Sequence, residues 1–177
     1  LYEYNITVFR MLGVGLGDSP DLEIPGEGLE GVYDALEFIQ KVTTRKWSSV
    51  EVGKRVAVIG AGNTAIDAIT EAKRLGAELV MIIYRRSEEE MPAYKYEYEL
   101  AKRDGVIFHW LTAPQRILGN GYVEGLECTR MSLGEPDASG RRRPVPIPNS
   151  EFTIQVDMVI KSLGQKANES LLSQIEH

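Results

Sequence analysis

The chain has 177 residues, of which 43% are hydrophobic and 26% charged, and its formal net charge is -6. These values are typical of a soluble globular protein with one good core. A net negative charge gives no support for nucleic-acid binding. No apolar run approaches membrane-spanning length and no signal peptide is visible. We therefore expect a cytoplasmic protein with neither a nucleic acid nor a membrane as partner.

Cys128 is the only cysteine in the sequence. A disulfide within the chain is therefore excluded, as is an iron–sulfur or zinc site held only by cysteines of this chain. A lone thiol also suits a reducing compartment. We nominate no metal ligands. The sequence begins at Leu1 without an initiator Met, so we expect it to be a piece of a longer protein.

The N-terminal part of the sequence predicts two elements before the first clear motif. An apolar segment over residues 5–12 predicts a strand that runs into a glycine-rich stretch at 13–17. Pro20, Pro25 and Gly26 then indicate a loop. The spacing of apolar residues over 32–42 predicts a short helix, and a polar connector follows at 43–53.

The most informative segment is residues 54–86, which reads KRVAVIGAGNTAIDAITEAKRLGAELVMIIYRR. An apolar run at 56–59 predicts a buried parallel strand, and a G-x-G-x-x-A turn follows it. Apolar residues at helical spacing over 65–75 predict a helix that ends at Gly76, and residues 79–83 predict a second strand. A strand, a glycine turn, a helix and a second strand in this order indicate a dinucleotide-binding unit.

Each residue type in the turn has a physical role in such a unit. Gly60 lets the chain turn tightly off the strand, and Gly62 lets the backbone approach a pyrophosphate because it has no Cβ. The pyrophosphate then faces the positive end of the helix dipole. Asn63 and Thr64 offer side-chain hydrogen bonds or a helix cap, and Ala65 is small enough for the helix to pack on the strand. The alternative is a purely structural glycine turn.

The second strand of this unit ends at arginines rather than at an acid. An NAD site has an Asp or Glu here that binds the ribose hydroxyls, whereas guanidinium groups pair with a 2′-phosphate. Arg85 and Arg86 therefore favour NADPH over NADH. The alternative interpretation is a pair of solvated arginines at a strand end.

The rest of the sequence predicts one helix and a set of further strands. Ser87 and Glu90 form a capping-box pair that we expect to open a helix over 91–103, ended by Gly105. A third strand is expected at 106–111. The predicted antiparallel meander comprises 115–118, 122–133 and 152–156, with a long connection at 134–150, and a last strand follows at 158–163. The pattern predicts an α/β fold, a Rossmann-like three-layer dinucleotide-binding domain.

Several other residues are candidates for a functional role. His109 and His177 are expected to be packing or surface residues, and we nominate no catalytic residue. Asp67 is expected either to orient the turn or the partner domain, or to be a plain helix-surface acid. Tyr94 and Tyr98 share a helix face and are expected to pack, with a stacking surface formed by Tyr94, Tyr96 and Tyr98 as the alternative. The run of arginines at 141–143 is expected to be a solvated loop, with docking of an acidic partner as the alternative.

The combined motifs resemble one family closely. IPGEGLEGVYDALEFI, VAVIGAGNTAIDA, IIYRRSEEEMPAY, GLECTRMSLGEPDASGRRRPVPI and DMVIKSLGQ are similar to the small (β) subunit of NADPH-dependent glutamate synthase and its relatives. The resemblance covers about residues 13–168. These are flavin oxidoreductases in which an NADPH domain is inserted into an FAD domain.

The resemblance implies a division of the chain into three parts. Residues 1–30 would be an FAD-domain crossover strand and linker, 31–157 the NAD(P)-binding domain, and 158–177 the return strand to the FAD domain. Gly164 and Gln165, on the return strand, would join the cofactor-binding residues. The FAD is expected to lie mostly outside this chain, and iron–sulfur clusters wholly outside it.

The function implied is electron input into a larger enzyme. NADPH would give a hydride to FAD, and iron–sulfur clusters would pass electrons to a glutamate synthase large subunit that forms glutamate from glutamine and 2-oxoglutarate. The partners would be the rest of the FAD domain and the large subunit. Alternatives are the same domain of a related ferredoxin–NADP transhydrogenase or dihydropyrimidine dehydrogenase, or a redox-inactive nucleotide-binding module. The fragment alone is expected to be inactive.

Overall fold

The structure, a computed structural model, describes residues 19–44, 49–136 and 140–164. The expected strand at 5–12 and the candidates Gln165 and His177 lie outside these ranges. In chain order the elements are β1 (Val32–Asp34), α1 (Ala35–Thr44), β2 (Arg55–Ile59), α2 (Asn63–Arg74), β3 (Leu79–Ile83), α3 (Lys95–Arg103), β4 (Ile107–His109), β5 (Thr112–Gly119), β6 (Val123–Pro136), β7 (Arg142–Pro146), β8 (Phe152–Ile154) and β9 (Met158–Lys161). Among these helices none is long and apolar enough to cross a membrane.

Two sheets organise the fold. The first has five parallel strands in the order β1-β9-β2-β3-β4. The second is antiparallel: β6 pairs β5 over residues 123–130, β8 over residues 126–128 and β7 over residues 131–136. The predicted α/β class, a parallel sheet with helices and an antiparallel meander, is confirmed.

The parallel sheet is buried on both faces, which makes three layers. On β2, Val56 and Val58 pack with helices α1 and α2, whereas Ala57 and Ile59 pack against the antiparallel sheet. Strand β3 alternates in the same way. Because neither face meets water, these strands read as unbroken apolar runs instead of alternating ones.

Strand β9 lies inside the parallel sheet, between β1 and β2, although it comes last of the described strands. It pairs β1 on one side and β2 on the other, with Val159 opposite both Val32 and Ala57. The pairing of β1 with the rest of the parallel sheet therefore depends on a strand that the resemblance assigned to the return segment, residues 158–177. The proposed division at residue 158 remains a prediction.

The first predicted helix begins later than expected. Residues Val32–Asp34 form an edge strand, and the helix starts at Ala35. Asp34 Oδ1 accepts the backbone N–H of Leu36 at 2.9 Å and that of Glu37 at 3.4 Å, so it caps the helix. The prediction of helix from residue 32 was wrong because the pairing partner of this strand lies far along the chain.

The helix predicted over 91–103 is also shorter. The Ser87–Glu90 capping box is present, but it closes only a single 3₁₀ turn at Glu88–Glu90. Met91 precedes Pro92 and is extended, with φ -64° and ψ 125°, because a proline disfavours the helical region for the residue before it. Helix α3 therefore begins only at Lys95.

The long connection predicted at 134–150 contains a strand. Strand β7 pairs with the end of β6, with Pro144 opposite Leu133 and Arg142 opposite Pro136. Prolines are tolerated because β7 lies at the edge of its sheet, where a missing N–H costs no ladder hydrogen bond. The arginines at 141–143 are exposed as expected, but the expectation of a loop was wrong for Arg142 and Arg143, which belong to the strand.

Cys128 lies in the core between the two sheets. Its side chain is fully buried, and burial, with the nearby Glu127 carboxylate, raises the pKa of the thiol to about 12. The thiol is therefore protonated at neutral pH and acts as a small hydrophobic side chain.

Candidate functional site

A cleft of about 520 Å³ opens at the carboxyl ends of β2, β3 and β9. The strand order reverses between β9 and β2, and open α/β sheets bind ligands at such a reversal. Its lining includes Gly60, Ala61, Gly62, Tyr84, Arg85, Arg86, Ser162, Leu163 and Gly164 from the strand ends, with Asp21, Leu22, Ile24, Thr112, Pro114 and Arg141 around them. A volume of this size suits a cofactor.

The two glycines of the turn are held in different ways. Gly60 has φ +126°, and a Cβ atom there would overlap the carbonyl oxygen of Ser162. Hydrogen bonds from Gly60 N to Ile83 O, 3.0 Å, and from Ser162 N to Ile59 O, 2.8 Å, lock the three strand ends together. Gly62 has an ordinary φ of -84°, and a Cβ there would have nothing within 4 Å. Gly60 is thus required by the fold, whereas Gly62 leaves open space at the cleft.

The N-terminus of α2 points to the same place. Gly62 is the N-cap residue, and no side chain caps the helix. Asn63 was expected to cap the helix or bind the cofactor, but its Oδ1 accepts the backbone N–H of Tyr94 at 2.9 Å. Thr64 is half-buried, and Ala65 is fully buried against the sheet, as a close helix–strand packing needs. Of the five turn residues predicted to bind the cofactor, Gly60 and Gly62 therefore line the cleft, with Ala61 between them, whereas Asn63, Thr64 and Ala65 do not.

The end of β3 carries the two predicted arginines in unequal environments. Arg85 is exposed and lines the cleft. Arg86 is only 8% exposed, and its Nε donates to the carbonyl oxygen of Arg142 at 3.0 Å. Arg86 therefore connects the strand end to β7 and is not a solvated side chain.

Tyr84 fixes the direction of this strand end. Its hydroxyl donates to the carbonyl oxygen of Glu90 at 3.0 Å, and its ring makes an edge contact with Trp110, with centroids 6.1 Å apart. Trp110 in turn stacks on Phe108 at 5.0 Å, and both contact the buried Tyr98 of α3. This aromatic cluster of Phe108, Trp110 and Tyr98 packs against Tyr84 through Trp110 and so supports the end of β3.

One wall of the cleft is held by a half-buried ion pair. Lys161 Nζ, at the end of β9, lies 2.7 Å from Glu27 Oε1 and 3.3 Å from Asp21 Oδ1. The Glu27 carboxylate also accepts the backbone N–H groups of Leu22 at 2.8 Å and Glu23 at 3.0 Å. The carboxylate thus shapes the segment 21–24 and attaches it to the sheet.

Replacing Glu27 with glutamine should lower the free energy of unfolding by about 1–3 kcal/mol, because it leaves the largely buried Lys161 charge without its main partner. The measurement is urea unfolding of the wild type and the variant. The matched control is Glu37→Gln, which breaks the exposed pair of Glu37 with Lys41 and should cost no more than about 0.5 kcal/mol. Equal losses in the two variants would contradict the role assigned to Glu27.

The same pair predicts how stability changes with pH. Burial alone raises the pKa of Glu27, but hydrogen bonds from Lys161 and from Leu22 N–H outweigh it and hold the pKa below 4.5. The wild type should therefore have a higher free energy of unfolding than Glu27→Gln above pH 4.5. This difference should disappear as the pH falls through the folded-state pKa of Glu27. Burial lowers the pKa of Lys161, but Glu27 and Asp21 raise it above 10.5, so stability is also lost as the pH rises beyond that value.

The other candidates do not converge on the cleft. His109 is half-buried, and burial with the nearby Arg130 charge lowers its pKa, so it is neutral near pH 7. Asp67 is exposed on α2, and partial desolvation together with the carboxylates of Glu97 and Glu71 raises its pKa. The part of the chain that the structure describes contains no group of three His, Cys, Asp or Glu residues suited to a metal.

The expectation that Tyr94 and Tyr98 both pack was half wrong. Tyr98 is buried, but Tyr94 is 60% exposed and stacks on Tyr96, with ring centroids 6.0 Å apart. Tyr94 precedes the first turn of α3 and is extended, so the helical spacing that the prediction assumed does not apply to it.

Sequence reasoning missed the lining residues that only tertiary structure brings to the cleft. Asp21, Ser162 and Arg141 come from distant parts of the chain, and no local pattern marks Asp21 or Ser162. The arginine run at 141–143 was the one available signal, but nothing in the sequence says which of its three side chains faces the cleft.

A doubly covered parallel sheet with a glycine turn at a helix N-terminus, at the point where strand order reverses, defines a dinucleotide-binding class of fold. The chain belongs to the pyridine nucleotide-disulphide oxidoreductase family, whose family model matches residues 11–177.

Curated relatives match nearly all of the chain. It is 50% identical over 166 residues to the NADPH-Fe(3+) oxidoreductase subunit beta of Geobacter sulfurreducens, which covers 91% of this chain and 24% of that protein. It is 43% identical over 164 residues to the NADP(+)-dependent formate dehydrogenase subunit beta of Moorella thermoacetica, covering 91% and 23%. The glutamate synthase [NADPH] small chain of Azospirillum brasilense is 38% identical over 166 residues, covering 87% and 34%. The chain thus spans about a quarter to a third of the length of these relatives.

Solved structures agree on the fold. Mycobacterium tuberculosis FprA in complex with NADPH matches with a TM-score of 0.72 at 22% identity, over 86% of this chain and 49% of that one. Thioredoxin reductase from T. acidophilum matches with a TM-score of 0.60 at 19% identity, over 88% of this chain and 44% of that one. At these identities, both matches show a shared fold.

Proposed function

We propose that this chain is the NADPH-binding, electron-input domain of a flavin oxidoreductase. One observation carries the proposal: a single cleft holds the glycine turn, the uncapped end of α2 and the exposed Arg85 at the end of β3. The first two suit a pyrophosphate, and the arginine suits a 2′-phosphate. The nicotinamide supplies the hydride, and the protein supplies binding and orientation.

The residues of the cleft fit a dinucleotide in shape as well as in charge. The position of a Cβ on Gly62 has no atom within 4 Å, so the backbone at this point is open to an incoming phosphate. The walls include apolar side chains such as Ile24, Pro114 and Leu163, against which a flat ring can pack. Gly164 and Ser162, at the end of β9, bound the cleft on the side of the return segment.

The proposal concerns the electron donor more than the acceptor. The three relatives named above share NADP or NADPH in their names and differ in what else they act on. The role in glutamate synthesis, which the resemblance implies, remains one candidate. A ferric-iron or formate enzyme is another candidate, because the relatives with these names are 50% and 43% identical to this chain, against 38% for the glutamate synthase small chain. In each case we propose cytoplasmic electron transfer through FAD, and then through iron–sulfur clusters, to a partner subunit.

The test is anaerobic reduction of the purified flavoprotein that carries this chain. We expect NADPH to bleach the flavin absorbance at lower concentration than NADH. The 177-residue chain alone should bind NADPH but should not reduce a dye, because FAD is expected to lie mostly outside it. A protein that binds NADPH but never contains flavin would contradict the proposal and support a redox-inactive nucleotide-binding module.

The acceptor is identified by offering candidates to the reduced protein. Glutamine with 2-oxoglutarate and the large subunit, ferric iron, and ferredoxin are supplied in turn, and reoxidation of the flavin is followed. Turnover with the first would support the glutamate synthase role. Turnover only with one of the others would reject that role and keep the proposed donor side.

A further inference from the structure

The hairpin formed by β6 and β7 ends beside the cleft. Its strands pair from Met131 opposite Pro146 to Pro136 opposite Arg142. Arg141, which directly precedes β7, is exposed and is one of the cleft-lining residues. A guanidinium from the second sheet therefore reaches the site built by the first.

Two contacts attach this hairpin to the end of β3. Arg86 Nε donates to the carbonyl oxygen of Arg142 at 3.0 Å. Arg141 Nη2 lies 3.4 Å from the hydroxyl oxygen of Tyr84, which accepts from it while donating to Glu90 O. The turn end of the hairpin is thus attached on both sides of Arg85, the arginine already proposed for the 2′-phosphate.

The three consecutive arginines have three different environments. The Arg142 guanidinium donates to the carbonyl oxygens of Leu133, 2.7 Å, and Gly134, 3.2 Å, and so closes the hairpin. Arg143 is exposed on β7 and is not among the residues that line the cleft. Only Arg141 of this run combines exposure with a place on the cleft.

We propose that Arg141 is a second specificity-determining residue, which binds the 2′-phosphate of the nucleotide together with Arg85. This inference rests on the proposed function. A phosphate monoester carries close to two negative charges and three acceptor oxygens, more than one guanidinium can satisfy. Two arginines from separate elements supply the charge and the donors that a single arginine lacks.

The arrangement also links the nucleotide to the hairpin. A ligand with a 2′-phosphate holds Arg141 and thereby the start of β7, whereas a ligand without one has no contact at this point. NADPH should therefore slow hydrogen exchange at the amides of Arg142, Arg143 and Val145, the residues of β7 that have an N–H, and NADH should not.

Calorimetry with adenosine 2′,5′-bisphosphate and 5′-AMP tests the proposal on the purified protein. Arg141→Ala should weaken the bisphosphate about tenfold to a hundredfold and change 5′-AMP less than about twofold. Arg143→Ala, the neighbouring exposed arginine, should leave both affinities unchanged. Arg141→Gln keeps a long polar side chain and should show the same loss as alanine, which separates lost charge from a disturbed hairpin.

The outcomes separate this inference from the proposed function. If the wild type binds the bisphosphate no better than 5′-AMP, the NADPH preference itself fails. If the wild type prefers the bisphosphate and Arg141→Ala keeps that preference, or loses affinity for both probes equally, only the role of Arg141 is overturned. Exchange in Arg142–Pro146 that NADH slows as much as NADPH would also overturn it.

Discussion

Replacing Gly60 with alanine is expected to lower the free energy of unfolding by about 3–5 kcal/mol, because the backbone conformation and the lack of space both exclude a side chain. The φ of +126° is one that residues with a Cβ rarely adopt, and the added atom would overlap the Ser162 carbonyl oxygen. That oxygen belongs to backbone held by the bond from Ser162 N to Ile59 O, 2.8 Å, so it cannot easily move away. Urea or thermal unfolding measures the effect.

Gly62→Ala is the matched control, two residues away in the same turn. Its φ is ordinary and its Cβ would meet nothing within 4 Å, so the stability cost should stay below about 1 kcal/mol, the usual cost of losing a good N-cap. The new methyl group would instead occupy the open space at the cleft. NADPH affinity, measured by calorimetry, should fall at least about tenfold. A stable Gly60→Ala, or a Gly62→Ala that binds NADPH normally, would contradict this division of roles.

Replacing Arg85 with alanine is expected to weaken NADPH binding about tenfold to a hundredfold, because charge-assisted hydrogen bonds to the 2′-phosphate are lost. NADH has no such phosphate, so its affinity should change less than about twofold. Arg85 is exposed, and the described contacts give it no structural role that would disturb the fold. Calorimetric titration of wild type and variant with both nucleotides is the measurement.

Arg103→Ala provides the control, since Arg103 is an exposed arginine at the end of α3 that does not line the cleft. It removes the same charge without the proposed contact, so both affinities should remain as in the wild type. Equal binding of NADPH and NADH by the wild type, or the same loss in both variants, would refute the specific role of Arg85.

Arg86→Ala should in addition destabilise the protein, because Arg86 is buried and bonded to Arg142.

The central unit of the fold was predictable because its signals are local. Residues within a short window specify β2, the turn, α2 and β3, and the structure places these elements within one or two residues of the predictions. The apolar runs, the two glycines and the helical spacing all indicate the same unit, and such agreement between levels makes a local prediction reliable.

The missed elements depend on distant partners or on backbone rules that override a pattern. Strand β1 exists because Val32 pairs with Val159, and β7 exists because Pro144 lies at a sheet edge opposite Leu133. The start of α3 was misplaced because Pro92 excludes its predecessor from the helical region. At the site, the contacts of Ser162 with Gly60 and of Arg141 with the end of β3 also join distant parts of the chain, so no local pattern predicts them.

The position of β9 between β1 and β2 has a consequence for how the protein is made. A ribosome releases β1 and β2 early, but the strand that joins them, Met158–Lys161, is synthesised only after both sheets' other strands. Until then, among the strands that the structure describes, β1 has no partner and one edge of β2 is open, a state prone to wrong pairing. Ser162 and Gly164 also line the cleft, so we expect the cleft to be completed only after the chain has been synthesised as far as Gly164.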